Sequence, residues 1–429
     1  MQRLKRLLVI AGLQLFSTIC VAQTSLDITG VSRALRTFEY DKAIGLIDSL
    51  LCNRDSVPEA QWRQLMLQKA RCQKRLLRYD QAAQTLESAL SPDAFDVELM
   101  GELADCFAQS GQNEAALMLY ASLWSKQPNN AFFGIKQTSI SYRLKDYQGC
   151  IAAGRKLCDV DSIPAVLNMV AASFTQLGKR DSAVVWYKKS MALNPLNVNT
   201  VNGLSEAYLA KNRFDSVITI TKEYLKEKPD NVAIQSVLGL AQYLHEDYMD
   251  AVNTFYPQVE AGVASFATYF YLGRSYMALE QYLKADGFFQ QAWQIDSSDV
   301  NLVFNLAYTQ TKLGSPLEPT LQLYDRALSM LQPDSTLLYK IHLGRAQACF
   351  NAKQYRPAVS SFEKAYAYKS THKSILYYLG NCFEQLKEYK LSLRYYEQYQ
   401  KTVAPTSDAY KHVQQAIDYV QEKLFMEAG

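Results

Sequence analysis

Small residues return about every 34 positions along this chain, and that period constrains its fold more than any single residue does. Ala70, Ala104, Thr138, Ala171, Ser205, Gly239, Gly273 and Ala307 keep the beat, followed by Ala346 and Gly380. By subtraction the step is the same throughout, except that it is one shorter before Ala171 and five longer before Ala346. Twelve residues after most of them stands a second small position, at Ala82, Ala116, Cys150, Ala183, Ala251, Ala285 and Ala358. A repeat of this length means stacked supersecondary units that share one continuous core, not a globular enzyme domain.

The spacing within a unit predicts two short amphipathic helices. Leu103, Val170, Leu204, Leu238, Leu272, Leu306 and Leu379 precede the first small residue, and Phe107, Phe174, Tyr208, Tyr276 and Phe383 follow it by three, so they share one helical face. Four residues after the second small position comes a large side chain: Leu86, Tyr120, Tyr187, Phe255, Phe289, Phe362 or Tyr396. Breakers such as Ser110-Gly111, Leu177-Gly178 and Lys211-Asn212 separate the two helices. Small residues belong where helices approach closely and large ones in the gaps between them. Pro128, Pro195 and Pro229 fall where the second helix must stop. Pro257 falls late in a second helix and predicts early termination or a kink. Pro316 is expected in the first turn of its helix, with Ser315 as N-cap.

Residues 197–229, with Leu204, Tyr208, Phe214 and Pro229, resemble the tetratricopeptide repeat. So do residues 267–297, with Leu272-Gly273, Tyr276, Ala285, Phe289 and Ala292. The resemblance extends over nearly all of the chain after residue 24, although the family's preferred early Trp is missing from every unit. It implies an all-α, right-handed superhelical solenoid of about eleven helix-turn-helix repeats over residues 24–405. Longer connections are expected at Cys52–Glu59 and around Leu331–Leu338. In residues 406–429, Thr406-Ser407-Asp408 offers an N-cap to a terminal helix. Val413, Ala416, Ile417, Val420 and Leu424 form its apolar stripe, and Lys411, Gln415, Asp418 and Glu422 its polar face, the pattern of a capping helix, with a partner-docking helix as the alternative.

Residues 1–22 read as a secretory signal: Arg3, Lys5 and Arg6, then the apolar run Leu7–Phe16, then Cys20-Val21-Ala22 with cleavage after Ala22. The run is too short for a comfortable membrane span, and no other stretch is apolar enough for one. Cys20 leaves a lipid anchor as the alternative, though bulky Ile19 precedes it. Removing three basic residues takes the formal charge from +3 to 0. Nucleic-acid binding, which rests on a basic excess, is therefore not expected. Seven cysteines remain, but Cys72 and Cys106 lie in adjacent units and Cys150 and Cys158 two turns apart, spacings unsuited to a disulfide framework. They read as small core residues, with Cys52 in a loop as the one to test for reactivity. Arg71, Lys74 and Arg75 form a basic cluster and Glu98, Glu102 and Asp105 an acidic one in the next unit; both read as solvated helix faces, with ion pairing between repeats as the alternative.

No catalytic, cofactor or metal motif stands out. His245, His342, His372 and His412 lack metal-ligand spacing, and there is no phosphate loop, nucleophile elbow or paired Cys-x-x-Cys. Surface recognition is left. By the resemblance, first helices line a concave groove, and in units five to eleven that lining includes Asn168, Asn199, Asn202, Phe270, Arg274, Asn301, Phe304, Asn305, Tyr308, Lys340, Tyr377 and Asn381. Asn amides and aromatic faces suit an extended polypeptide, although Phe270, Phe304 and Tyr377 equally suit packing between repeats. Of the carboxylate clamp in the family's chaperone-binding members only pieces are present, such as Asn305 and Lys340, so that activity is not implied. The expected function is a non-enzymatic protein-interaction scaffold. The resemblance extends to exported proteins of Bacteroidota-type bacteria, which implies a periplasmic or outer-membrane setting. The alternative is a glycan- or nutrient-binding protein on the same frame, and an enzyme of unrecognised type is the third.

Overall fold

The 34-residue period folds as two helices joined by a tight turn. The computed structural model describes residues 29–52, 57–91, 95–330 and 334–428. Residues 1–22, read above as a signal, lie outside them with Cys20. The chain divides into two compact units, Met1–Ala210 and Lys211–Gly429. The first holds α1 (29–36), α2 (Tyr40–Leu51), α3 (Glu59–Arg75), α4 (Tyr79–Ala89), α5 (Val97–Ser110), α6 (Asn113–Lys126), α7 (Ala131–Arg143), α8 (Tyr147–Cys158), α9 (Pro164–Gln176), α10 (Arg180–Leu193) and α11 (Val198–Leu209). The second holds α12 (Phe214–Glu227), α13 (Val232–Leu244), α14 (Tyr248–Glu260), α15 (Phe266–Ala278), α16 (Tyr282–Ile295), α17 (Val300–Leu313), α18 (Leu317–Met330), α19 (Ser335–Asn351), α20 (Tyr355–Tyr368), α21 (Ser374–Gln385), α22 (Tyr389–Gln400) and α23 (Asp408–Ala428). Odd-numbered members through α21 are first helices and even-numbered ones second helices. The described residues are all-α, a repeat solenoid.

Seven first helices are started by side-chain caps that keep the period. Asp96, Asn130, Asn197, Asn231, Ser265, Asp299 and Asp334 each accept from backbone N–H groups one turn ahead, and Ser265 and Thr268 close a reciprocal capping box. Such a cap satisfies one of the four donors a helix leaves open and contributes about 1 kcal/mol. Pro164 at the first position serves α9 instead.

The small-and-large alternation builds the core. All ten first small positions are buried, as are all seven second ones. Tyr120, Phe255, Phe289, Phe362 and Tyr396 are almost wholly buried, and Tyr324, displaced in register by the longer ninth unit, joins them. At several positions rings press on glycine. A Cβ on Gly239 would meet the Phe255 ring at 2.6 Å, one on Gly273 the Phe289 ring at 2.5 Å, and one on Gly380 the Tyr396 ring at 2.5 Å.

Every turn inside a repeat places one residue in the left-handed region: Phe38, Leu77, Gly111, Lys145, Gly178, Asn212, Glu246, Glu280, Gly314, Lys353 and Lys387. Three are Gly, and Asn212 is a tolerant substitute. For the others the conformation costs about 1–2 kcal/mol, because Cβ crowds the following carbonyl. The turn survives because its backbone bonds close the helix end, as where the Gln281 N–H donates to Tyr276 and the Gln354 N–H to Cys349. Allowing for glycine's larger loss of freedom on folding, Leu77→Gly and Glu280→Gly are each expected to raise stability by about 0.5–1 kcal/mol. Urea midpoints check this, and a fall at both sites would refute the strain account.

Four expectations are corrected or refined. Pro257 does not end its helix, since α14 runs on to Glu260 and the Pro257 carbonyl accepts from Ala261; at this late position proline removes one bond without blocking the last turn. The helix after Ser315 starts at Leu317, so Pro316 supplies an early carbonyl, bonded by Thr320, and not the first turn. The extra residues near Leu338 extend a helix: α19 has 17 residues and starts at Ser335. The connection before Glu59 likewise leads into a 17-residue helix, α3.

In α23, Val413, Ile417 and Val420 are buried against Tyr396, with Ala416 and Leu424 partly buried beside them. The Ser407 hydroxyl accepts from the Tyr410 N–H at its start. Lys411, Gln415, Asp418 and Glu422 are exposed on the other face. The seven described cysteines are free thiols, Cys52 exposed and Cys72, Cys106, Cys150, Cys349 and Cys382 buried.

Candidate functional site

First helices in the first unit carry a cleft of about 500 Å³ lined by Arg71, Lys74 and Arg75 of α3, Tyr79 of α4, Glu102, Asp105 and Gln109 of α5, and Lys136 of α7. The repeat aligns these side chains. Arg71 and Asp105, Arg75 and Gln109, and Glu102 and Lys136 each stand one period apart, in equivalent places on successive helices. Charges of opposite sign therefore meet across repeats. The Arg71 guanidinium donates to Glu98 and Glu102 at 2.8 Å each. Lys74 Nζ reaches Glu102 at 2.5 Å and stands 3.8 Å from Asp105. Lys136 Nζ donates to Asp105 at 2.8 Å, and the buried Tyr120 hydroxyl donates to the same carboxylate at 2.5 Å.

Burial pushes both carboxyls up, and their partners more than reverse it. Lys74 and Arg71 hold Glu102 below its ordinary value, and Lys136 and Tyr120 do the same for Asp105. Burial and the neighbouring carboxylate raise the Tyr120 hydroxyl. Cys106, beneath the cluster, is pushed up to about 11 chiefly by burial, which disfavours the reactive thiolate. Groups whose folded pKa is depressed stabilise above their unfolded values, about 4, and lose that contribution as pH falls through the lower folded values. Melting temperatures measured from pH 6 to pH 3 are expected to converge between the wild type and Glu102→Gln/Asp105→Asn. A gap that stayed constant to pH 3 would show that the two charges are not linked to folding.

Around this paired centre lie groups with unused capacity. Among the described residues Arg75, Tyr79 and Gln109 have no side-chain hydrogen bond or ion pair. The arrangement holds charge of both signs in fixed register beside free donors and acceptors, which suits binding. The basic and acidic clusters were legible in sequence. Lys136 and Gln109 were missed, although stepping one period on from Glu102 and Arg75 finds them.

The groove residues expected from sequence are distributed unevenly. In the first unit Asn168 exchanges hydrogen bonds with Thr200 of the next first helix (2.9 and 3.0 Å), tying two repeats together. Asn199 is exposed. Asn202 is half-buried, and its Oδ1 is buried with no hydrogen-bond partner. In the second unit Phe270 and Asn305 are buried, 8% and 5% exposed, so little of either is within a partner's reach. Phe270 stacks on Phe266 and meets Phe289, because the 34-residue period places it at the seam between α15 and α16. The Arg274 guanidinium lies 4.9 Å over Tyr243 and 5.7 Å from the Phe270 ring centre. Tyr308 is half-buried beside Phe304. Tyr377 packs in a ring cluster with Tyr378, Tyr396 and Tyr399. Asn301 and Lys340 are exposed and Asn381 is half-buried.

Among the described residues no group of three or more His, Cys, Asp or Glu stands close enough to hold a metal ion, and no helix is long and apolar enough to cross a membrane.

Two stretches, residues 67–131 and 341–408, match the Tetratricopeptide repeat family. Among solved structures, the chain is similar to the "APC/C hetero-tetramer Cut9-Hcn1" at 11% identity over 91% of this chain and 95% of that one, with a TM-score of 0.45. It is also similar to "MamA 41-end from Desulfovibrio magneticus RS-1", at 15% identity over 39% of this chain and 94% of that one, with a TM-score of 0.36. The helix alternation makes the described residues an all-α repeat solenoid, in which two stretches match the tetratricopeptide repeat family.

Proposed function

We propose that the chain is a non-enzymatic scaffold of a bacterial envelope that holds segments of partner polypeptides along the groove face of its first helices. The observation that carries this reading is the mixed-charge cleft over α3, α5 and α7. Its centre is internally paired, while Arg75, Tyr79 and Gln109 stand beside it unengaged. A polypeptide offers both donors and acceptors at each residue, the chemistry such a surface complements. Pre-paired charges also lower the ordering cost on binding, since Arg71, Lys74 and Lys136 are already held in place. The signal-like residues 1–22 support the envelope setting.

A blocking substitution tests it. Gln109 is exposed, so Gln109→Trp fills the cleft without entering the core. Full-length protein and the variant are compared as bait in a crosslinked envelope extract, with recovered polypeptides quantified by mass spectrometry. At least one polypeptide is expected to fall about tenfold or more in the variant, the loss of roughly 1.4 kcal/mol of contact. Equal recovery by both baits would count decisively against the cleft as the site.

A further inference from the structure

The eleven left-handed turn residues differ in a telling way. Nine are Gly, Asn, Lys or Glu. The other two, Phe38 and Leu77, are large and apolar, occupy adjacent repeats, and are 74% and 72% exposed. Each is therefore unfavourable twice, in its backbone conformation and in its contact with water. The two turns are neighbours in space, since Arg78, next to Leu77, donates to Asp41 of α2 at 2.8 Å. Tyr40 stands edge-on to Phe38, with ring centres 6.3 Å apart.

The charge around these tips is basic. Residues 33–42 and 71–80 hold seven Lys or Arg against three Asp or Glu. Arg71 and Lys74 are neutralised by Glu98 and Glu102, Lys42 by Glu39, and Arg78 by Asp41. Exposed Arg33, Arg36 and Arg75 are left without a carboxylate among the described residues, against one carboxylate, Asp80, without a cation. Arg36 and Arg75 each stand two residues before an apolar tip.

We propose that the turns of the first two repeats form an edge that docks on an anionic lipid surface. Phe38 and Leu77 enter the headgroup boundary, and the surplus arginines meet its negative charge. Two features favour a bilayer over a protein partner. The apolar side chains are protruding tips, not a groove or a flat patch, so a deformable surface can take them without a matching pocket. Aromatic and aliphatic tips ringed by arginine also combine apolar burial with attraction to anionic lipid, the two contributions that hold interfacial elements to membranes.

Full-length protein is floated with vesicles of phosphatidylglycerol and phosphatidylcholine, and with phosphatidylcholine alone. Residues 1–28 are common to every form, so differences among forms are read. The chain is expected to prefer the anionic vesicles and to lose that preference at high salt. Phe38→Asn/Leu77→Asn should lower the bound-to-free ratio at least about tenfold, while its melting temperature stays level or rises because Asn tolerates the turn. Unfolding therefore cannot explain the loss. Arg33→Gln/Arg36→Gln should weaken binding about fivefold per charge. The charge-neutral control Lys145→Asn/Glu280→Asn relieves the same strain elsewhere and should bind as the wild type does. Equal flotation of wild type and Phe38→Asn/Leu77→Asn, or no preference for anionic vesicles, overturns the proposal. So does capture of an acidic protein through these tips by a chain that binds no vesicle.

Discussion

Gly273→Val is expected to destabilise the second unit by about 3 kcal/mol, seen as a lower urea midpoint and lost hydrogen-exchange protection in α15 and α16. Valine is a somewhat better helix former than glycine, so propensity alone predicts a slight gain. Geometry decides otherwise. The added Cβ alone would lie 2.5 Å from the ring of Phe289, which is 0% exposed. The ring must leave its rotamer or the helices must separate, and both disturb a close-packed core. Gly287→Ala is the control. It sits on α16 with nothing within 4 Å of its would-be Cβ, so the same class of change should stabilise by up to about 1 kcal/mol. Opposite signs at two glycines on successive helices would separate close approach from propensity. A neutral result at Gly273 would mean that the seam yields.

Asp105→Ala is expected to cost about 2–3 kcal/mol in the first unit. The carboxylate accepts from Tyr120 and from Lys136, which stand on the two helices that follow it. Removing it leaves the hydroxyl of a wholly buried tyrosine without an acceptor and Lys136 without its counter-charge. Asp105 retains 26% exposure, so water replaces part of the loss and the figure stays below that of a fully buried pair. In a Tyr120→Phe background the same substitution should cost about 1 kcal/mol less, the coupling of two residues in one network. Strict additivity of the two substitutions would place the effect elsewhere.

Much of the architecture was legible because a stacked repeat imposes one requirement many times. Ala70 and its equivalents must be small where a first helix packs against its second helix, and Phe289 and its equivalents must be large to fill that seam. Ten occurrences of one rule outweigh any local departure, which is why the missing early Trp did not obscure it. The C-terminal stripe from Val413 to Leu424 was equally readable, since it repeats the helical period on one face. Pro257 misled because proline's effect depends on how many turns remain beyond it. Ser315 and Pro316 misled by one residue, the ordinary uncertainty of a helix end.

The candidate site was half legible. Arg71, Lys74, Glu98, Glu102 and Asp105 were visible as opposed clusters in adjacent units, because charge is a property of composition. That Arg71 and Lys74 pair with Glu102 while Lys136 and Tyr120 meet on Asp105, and that Arg75, Tyr79 and Gln109 stay free, was not visible. Asn168 and Asn202 illustrate the same limit: both are asparagines on first helices, yet one binds Thr200 and the other leaves a buried oxygen unpartnered.

From the chain of residues alone came the period, the helix pairs and the alternation of small and large side chains, all consequences of local geometry repeated at fixed spacing. Folding in three dimensions assigned which polar groups satisfy one another, which glycines are pressed by rings, and which turns hold apolar residues in a left-handed backbone. Those outcomes depend on distances between residues in different repeats, where a shift of an ångström makes or removes a hydrogen bond, and no periodicity encodes distances that fine.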